Sequence, residues 1–218
     1  MNISNNISNY IKVRNPELRY ASFDYCYNYF KTFHENGETE QLASTENLQT
    51  SCLQLGFYLA SWGMLRGSTF LLQKSMKHYE ATIKEIASMN NLLWEIDVNL
   101  YSNENIDVIL DTKNRIRKQL GEKSEYASDT LISKIMLGVF GNVPAFDQNF
   151  CTGFGMNKSL IKKNLLILRD FYKDYRNEVD GQRIRTIEFE TGKETNRFYT
   201  KAKIIDMVGF IEGMKTNN

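Results

Sequence analysis

Hydrophobic residues recur at spacings of three and four along most of the chain, which is the pattern of helices with one buried face. The first such helix is predicted over 15–37, with Pro16 at its first turn and Gly37 at its end. It carries an aromatic stripe on one side that consists of Tyr20, Phe23, Tyr27 and Phe30. A stripe of this kind indicates packing in a core.

The segment 48–64 is apolar on nearly every face, which predicts a central helix. Gly56 and Gly63 lie inside it, seven residues apart. Because glycine costs up to about 1 kcal/mol in a helix interior, the pair indicates a close contact with another helix. Residues 66–69 are expected to end this helix and to begin the next one, whose pattern covers 70–89.

Two cations interrupt the apolar arc of the next helix, which is predicted over 102–121 with Asn103 as its cap and Gly121 as its end. Lys113 and Arg117 fall within that arc, although charged residues are rarely buried without a partner. Either they extend past the edge of the core, or they line a polar pocket, or they meet a buried carboxylate.

The helical pattern continues over 128–141, 159–180 and 202–214. Between the last two helices, apolar and polar residues alternate, which predicts one short hairpin near 183–200. The expected fold is therefore all-α, with about seven to nine helices and at most that hairpin.

A single helical domain over 1–218 is expected, with possible lobes over 1–100 and 101–218. The fractions of hydrophobic (42%) and charged (24%) residues are typical of globular proteins. No apolar run is long enough for a membrane helix, and the polar N-terminus lacks a hydrophobic signal core. Three widely spaced cysteines argue against a disulfide framework, so the cytoplasm is the expected compartment.

Charge is unevenly distributed, although the net charge is only +1. Residues 1–110 carry 8 Lys/Arg and 12 Asp/Glu, a net −4, whereas residues 111–218 carry 19 and 14, a net +5. Part of the excess positive charge lies in a basic strip along the predicted helix 159–180. The strip consists of Lys158, Lys162, Arg169, Lys173 and Arg176. A solvated surface explains such a strip, and so does a DNA or other polyanion partner.

Several catalytic classes lack the residues that they need. His34 and His78 are the only histidines, and neither has a Cys or His at ligand spacing, so no metal site is expected. The sequence contains no GxSxG elbow and no glycine-rich phosphate loop after a strand, and no cofactor is expected. Three possibilities remain for the function of the protein: carboxylate chemistry, anion binding through basic residues, or no catalysis at all.

One carboxylate stands alone in an apolar stretch. In KIMLGVFGNVPAFDQNF (134–150) a helix ends in glycine, Val143 and Pro144 turn the chain, and Asp147 follows. The run from Ser133 resembles the second half of the signature of the helix-hairpin-helix DNA glycosylases. In that family a Val-Pro turn leads to an Asp at the start of a helix. The resemblance implies that Asp147 supports the loss of a base through a charged transition state.

The resemblance covers 133–150 and departs from the family pattern on both sides. The segment LGEKSEYASDT offers only Leu120 and Gly121 for the family's Leu-Pro-Gly-Val-Gly hairpin. The family's His, two residues after the Asp, is Asn149 here. An Asp ahead of QNF is also an ordinary helix N-cap, and this is the alternative role of Asp147.

Two functions of different classes are consistent with these features. The first is a nucleic-acid-binding protein that resembles the glycosylases, in which the basic strip contacts phosphates and a pocket receives a flipped base. The candidate pocket residues are Trp62, Arg66, Lys113, Arg117 and Phe146. The alternative is a non-enzymatic helical module, as a possible homo-oligomer, that binds a protein or a small molecule through its aromatic surface.

Overall fold

Helices dominate the structure, a computed structural model that describes residues 1–67, 69–121 and 126–216. Eleven α-helices are present among these residues: α1 (Ile3–Lys12), α2 (Ser22–Glu35), α3 (Leu48–Ser61), α4 (Glu80–Ala87), α5 (Leu92–Glu95), α6 (Asn103–Leu120), α7 (Asp129–Phe140), α8 (Gln148–Phe154), α9 (Lys162–Asp174), α10 (Arg176–Asp180) and α11 (Lys201–Thr216). Short 3-10 helices occur at Arg19–Ala21, Thr39–Ala43, Phe70–Gln73, Met76–Tyr79 and Val98–Leu100. The prediction of an all-α fold is confirmed.

The predicted hairpin is also present. Its strands are β1 (Arg185–Ile187) and β2 (Glu194–Phe198), which pair antiparallel. Arg185 lies opposite Phe198 and Ile187 opposite Glu194, with an irregularity between the two pairs. Gly192 has a φ of +66°, a conformation that glycine adopts without strain in a tight turn.

One hydrophobic cluster extends through the described residues from Ile3 to Ile211. Phe23, Tyr27 and Phe30 of the aromatic stripe belong to it, as expected. Helix α2 packs against α7, and α1 packs against α11, so elements from both halves of the chain share this core. No described helix has the length and apolarity needed to cross a membrane.

The sequence pattern does not predict the N-terminal helix α1. The helix expected over 15–37 begins only at Ser22, and Pro16 lies in a turn. The buried face of α1 consists of Ile3, Asn6, Ile7 and Tyr10. Because asparagine and serine fill the positions between its few apolar residues, the segment has the composition of a polar loop although one face is apolar.

Asn6 joins α1 to α11 inside the protein. Its Nδ2 donates to Val208 O (3.1 Å) and to Glu212 Oε2 (2.8 Å), and its Oδ1 accepts from Lys215 Nζ (2.6 Å). A buried amide with all these partners is satisfied, so it fixes how the two helices sit on each other.

The predicted central helix is α3, with two differences. A Cβ added to Gly56 would collide with Met76 Sδ, so a close contact is present at this glycine, as predicted. The neighbouring element is a 3-10 helix and not an α-helix. Gly63 lies beyond the end of α3 with a φ of +73°, so it ends the helix instead of packing inside it. Phe57 is 69% exposed, so one face of α3 reaches solvent.

Two predicted helices are broken. The segment 70–89 forms two 3-10 helices before α4, because Lys74 and Ser75 between them are extended, with ψ of 143° and 168°. The helix predicted over 159–180 is divided at Tyr175 (φ −114°, ψ 24°) into α9 and α10. These breaks, together with α1, raise the number of helices above the expected seven to nine. Ser68, within the predicted boundary at 66–69, lies outside the described residues.

The buried stripe of α9 provides a test of the core. Leu168 is fully buried, whereas its neighbour Ile167 is 38% exposed. We expect Leu168→Ala to lower the free energy of unfolding by about 2–5 kcal/mol, since it removes packed atoms and leaves a cavity. Ile167→Ala should change it by less than about 0.5 kcal/mol. Urea denaturation measures both, and equal losses would show that the α9 stripe is not core.

Candidate active site around Asp147

Asp147 lies at the end of the turn between α7 and α8. Contacts with neighbouring elements fix both ends of this turn. Ser128 caps α7, and Gly141 ends that helix in the left-handed conformation with a φ of +67°. Thr200 Oγ1 donates to Gly141 O (2.6 Å), and Tyr101 OH donates to Asn142 O (2.6 Å). Neighbouring elements therefore hold the start of the turn.

The end of the turn is held by α7 and α11. Phe146 N donates to Ser133 Oγ (2.8 Å), and Thr130 Oγ1 donates to Phe146 O (2.7 Å). Ala145 N donates to Asp206 Oδ1 (3.0 Å), a carboxylate of α11. Every residue from Gly141 to Phe146 is buried, so these bonds replace the water that the backbone would otherwise need.

Asp147 is a helix cap and also half of an ion pair. Its Oδ1 accepts from Phe150 N (3.0 Å) at the start of α8. Its Oδ2 lies 3.3 Å from Lys134 Nζ, and its side chain keeps 17% exposure. The carboxylate is therefore oriented from two sides while it still reaches the surface.

Helix α8 is positioned by an unusually close contact with α11. A Cβ added to Gly153 would overlap Gly209 O, and a Cβ added to Gly213 would overlap Asn149 O. Backbone thus meets backbone where side chains normally intervene. Because Asn149 is two residues after Asp147, this contact sets the position of the cap.

Asp147 lies at the edge of a cleft of about 800 Å³. Its charged lining residues are Arg19, Arg66, Lys134, Lys158, Asp129 and Asp147. Its aromatic lining residues are Trp62, Phe70, Tyr126 and Phe210. Four cations against two acids give the cleft a positive balance, which favours an anionic ligand.

Trp62 is the central aromatic residue of the cleft. Its ring makes edge contacts with Tyr20 (5.5 Å between centroids) and Phe210 (5.7 Å). Arg19 lies 5.4 Å from the ring, and Lys134 Nζ lies 5.6 Å from it. An aromatic ring flanked by cations suits a planar ligand that carries negative charge.

Lys134 is buried beneath this ring. Its Nζ donates to Trp62 O (3.0 Å) and faces Asp147. Burial lowers the pKa of Lys134, whereas the charges of Asp147 and Asp206 raise it. Burial is the largest of these influences, so the pKa of Lys134 lies below its ordinary value.

Lys113 and Arg117 meet a carboxylate, one of the alternatives that their position in α6 left open. Lys113 Nζ lies 3.0 Å from Asp129 Oδ2 and donates to Leu160 O (2.7 Å), and Arg117 pairs with Asp129 Oδ1. Leu160 N donates to Asp129 Oδ2 (2.7 Å). These two cations therefore support the wall that Asp129 forms and do not line the cleft themselves.

Of the other predicted pocket residues, two line the cleft and one does not. Trp62 and Arg66 line the cleft. Phe146 does not line it, because its ring is fully buried in the core against Phe150, with 5.6 Å between centroids.

The basic strip is not one continuous surface. Lys158 lines the Asp147 cleft, whereas Arg169, Lys173 and Arg176 line a separate groove of about 740 Å³ beside Tyr101. Four of the strip residues lie next to acids: Lys162 with Asp107 (3.2 Å), Arg169 and Lys173 with Asp170 (3.0 and 3.7 Å), and Arg176 with Asp180 (3.5 Å). These exposed pairs reduce the local positive charge and contribute little to stability.

Three residues of the site are not found from the sequence pattern. Arg19 falls within the helix predicted over 15–37, whose true position is different. Lys134 has a detectable signal, because it is the only charged residue between Asp129 and Asp147. Asp206 has none, since its role depends on where α11 packs.

The glycosylase resemblance rests on residues of the α7–α8 turn alone. Comparison of the chain with protein-family models, with curated proteins and with solved structures gave no match. Residues 122–125, within the segment where the family's hairpin is expected, lie outside the described residues. Across the ranges that the structure describes, no group of three or more His, Cys, Asp or Glu side chains is arranged to hold a metal ion.

The α8–α11 contact can be tested with one methyl group. Gly213→Ala places a Cβ on Asn149 O, and we expect a decrease of about 1–3 kcal/mol in the free energy of unfolding. Gly67→Ala is the matched control, because no heavy atom lies within 4 Å of its added Cβ. Chemical denaturation measures the free energy of unfolding of both variants. If Gly213→Ala is as stable as Gly67→Ala, the backbones of α8 and α11 can move apart without cost.

Proposed function

We propose that the cleft binds an unpaired nucleotide of a nucleic acid and that the protein is a DNA glycosylase-like, base-excising enzyme. The observation that supports this most directly is the placement of Asp147. Its carboxylate starts a helix at the edge of a cationic, aromatic cleft, in a turn whose sequence resembles that of the glycosylases.

The lining of the cleft suits the two parts of a nucleotide. Trp62 offers a ring for a base, and base–aromatic stacking contributes about 1–3 kcal/mol per base. Arg66 and Lys158 are exposed at the same cleft, where they reach phosphate groups. Lys158 is the member of the basic strip that takes part in this site.

Asp147 supplies negative charge where the reaction needs it. When the bond between the sugar and the base breaks, the bonding electron pair leaves with the base and positive charge develops on the sugar. A water molecule then adds to that sugar carbon and loses a proton, which completes the hydrolysis. A fixed carboxylate stabilises that charge without reorganising. The Phe150 N–H and Lys134 hold Asp147 in place, so the capping and catalytic roles are compatible.

A cytoplasmic location belongs to the same proposal. Cys26, Cys52 and Cys151 are buried and unpaired, which suits a reducing compartment.

The specific observation for the alternative, a non-enzymatic binding module, is a second groove of about 610 Å³ between α2 and the hairpin. It is lined by aromatic side chains, namely Tyr25, Tyr29, Phe33 and Phe189. Phe189 is 74% exposed, and exposed apolar surface of this kind marks binding sites for proteins or for a second copy of the chain.

The two candidates differ in nucleic-acid binding. We expect a fluorescein-labelled single-stranded oligonucleotide to bind with an affinity that falls steeply with salt. Arg66→Ala/Lys158→Ala should weaken binding and lower the slope of log K against log salt by about 0.7 for each phosphate that the variant no longer neutralises. Fluorescence anisotropy at several salt concentrations measures this slope.

The matched control removes two exposed cations outside the cleft, in Lys173→Ala/Arg176→Ala. Because each lies beside an acid, we expect a smaller effect. An equal effect would place binding on the strip and not in the cleft. No binding by the wild type at low salt would leave the binding module as the better interpretation.

The role of Asp147 is tested by Asp147→Asn, since asparagine caps a helix about as well as aspartate. The expected result is a decrease of at least about a hundredfold in base release, the usual effect of removing one charge-stabilising group. Release is measured as alkali-labile abasic sites in an oligonucleotide with alkylated purines, whose cationic bases leave most readily.

Because Asp147→Asn also leaves Lys134 without its nearest carboxylate, Lys134→Met/Asp147→Asn is needed as a control for stability. It removes both charges, so it should recover any stability that Asp147→Asn loses through the unpaired ammonium, and it should not recover base release. If Asp147→Asn retains full activity, Asp147 has only a structural role, as a helix cap and as the partner of Lys134.

A further inference from the structure

A further buried ion pair lies under the cleft, in α11. Lys203 Nζ is 2.8 Å from Asp206 Oδ2, and both side chains are almost fully buried. Lys203 Nζ also donates to Tyr10 OH (3.1 Å) and lies 4.6 Å from the centroid of the Phe23 ring. Buried ion pairs are often no more stabilising than apolar residues of the same size, so stability alone does not account for this pair.

Asp206 acts on the candidate site through the backbone. Its Oδ1 accepts from Ala145 N (3.0 Å), two residues before Asp147 in the chain. Its other oxygen is occupied by Lys203, which leaves the carboxylate little freedom to rotate. The position of α11 is therefore transmitted to the turn through a charged hydrogen bond.

Asp206 also faces the cleft through a small cavity of about 10 Å³. Asp147, Lys134, Asp206 and Lys203 all line this cavity, together with Tyr58 and Trp62. Its volume is close to the smallest that holds one water molecule. The two carboxylates and the two ammonium groups thus line one small space, and the Asp206 charge raises the pKa of Lys134.

We propose that Asp206 is a positioning residue for the candidate site: it holds the turn that carries Asp147, and its negative charge stabilises the ammonium of Lys134. The catalytic consequence of this role rests on the proposed function, whereas its structural and electrostatic parts do not. Lys203 pairs with Asp206 inside the core and fixes its orientation.

Two substitutions separate the two parts of the role. Asp206→Asn removes the charge but retains an oxygen that accepts from Ala145 N. Asp206→Ala removes the charge and the acceptor. The control is Asp24→Asn, which replaces a fully buried carboxyl group 3.7 Å from Arg14 that makes no contact with the turn. Burial raises the pKa of Asp24 to about 7, so the variants are compared above that pH, where Asp24 is ionised.

The first readout is the titration of Lys134, followed by NMR at its ¹³Cε. Because the Asp206 charge raises the pKa of Lys134, both Asp206 variants should lower that pKa, and Asp24→Asn should leave it unchanged. The second readout is the Ala145 amide proton, whose shift and exchange rate should change in Asp206→Ala more than in Asp206→Asn. A merely structural loss of stability moves neither signal selectively.

The third readout is base release. We expect Asp206→Ala to slow it by about tenfold or more, since a displacement of about 1 Å at a reacting group costs up to about a hundredfold. Asp206→Asn should retain more activity than Asp206→Ala because the turn stays anchored.

The outcomes are distinct. If the Asp206 variants leave the Lys134 titration and the Ala145 amide as in the wild type, the inference is wrong. It is also wrong if Asp24→Asn shifts Lys134 as far as Asp206→Asn does. If the wild type releases no base, the proposed function fails, and the two NMR readouts still decide the role of Asp206. If Asp206→Ala does not fold, Asp206→Asn still tests both parts: the Lys134 titration reports the lost charge, and the Ala145 amide reports the change from a charged to a neutral acceptor.

Discussion

The contact between the backbones of α8 and α11 is the constraint on which the site depends. At Gly153 and Gly213 the chain has no side chain, because the carbonyl groups of the opposing helix occupy that space. Helix packing through side chains tolerates small shifts, since side chains can change rotamer. A contact between backbones has no such freedom, so α11 fixes where α8 begins and where Asp147 lies.

Buried ion pairs also fix the parts of the site. Three buried cations near the cleft, Lys113, Lys134 and Lys203, each meet a carboxylate, and each pair secures a different part of the site. Lys113 supports the wall, Lys134 holds Asp147, and Lys203 orients Asp206 beneath the turn. Apolar residues would fill these positions at lower cost in desolvation. The concentration of ionised groups around one cleft is typical of a functional site.

Local signals explain which parts of this arrangement were predictable. The end of α7, the turn and the start of α8 follow from Gly141, Pro144 and Asp147, whose preferences depend on backbone conformation alone. The pairing of Lys134 with Asp147 spans 13 residues and two elements, so periodicity carries no information about it. The role of Asp206 depends on the packing of α11, and tertiary contacts of this kind are invisible in local patterns.

The cleft is built from segments that are far apart along the chain. Asn6 of α1 binds Val208 of α11 across 202 residues, and α11 in turn holds the turn at Ala145. Contacts with such large sequence separation require long loops to close, which costs conformational entropy. A peptide that contains the α7–α8 turn alone would keep the signature residues and lose the cleft. The site is therefore a property of the whole fold and cannot be transferred as a short motif.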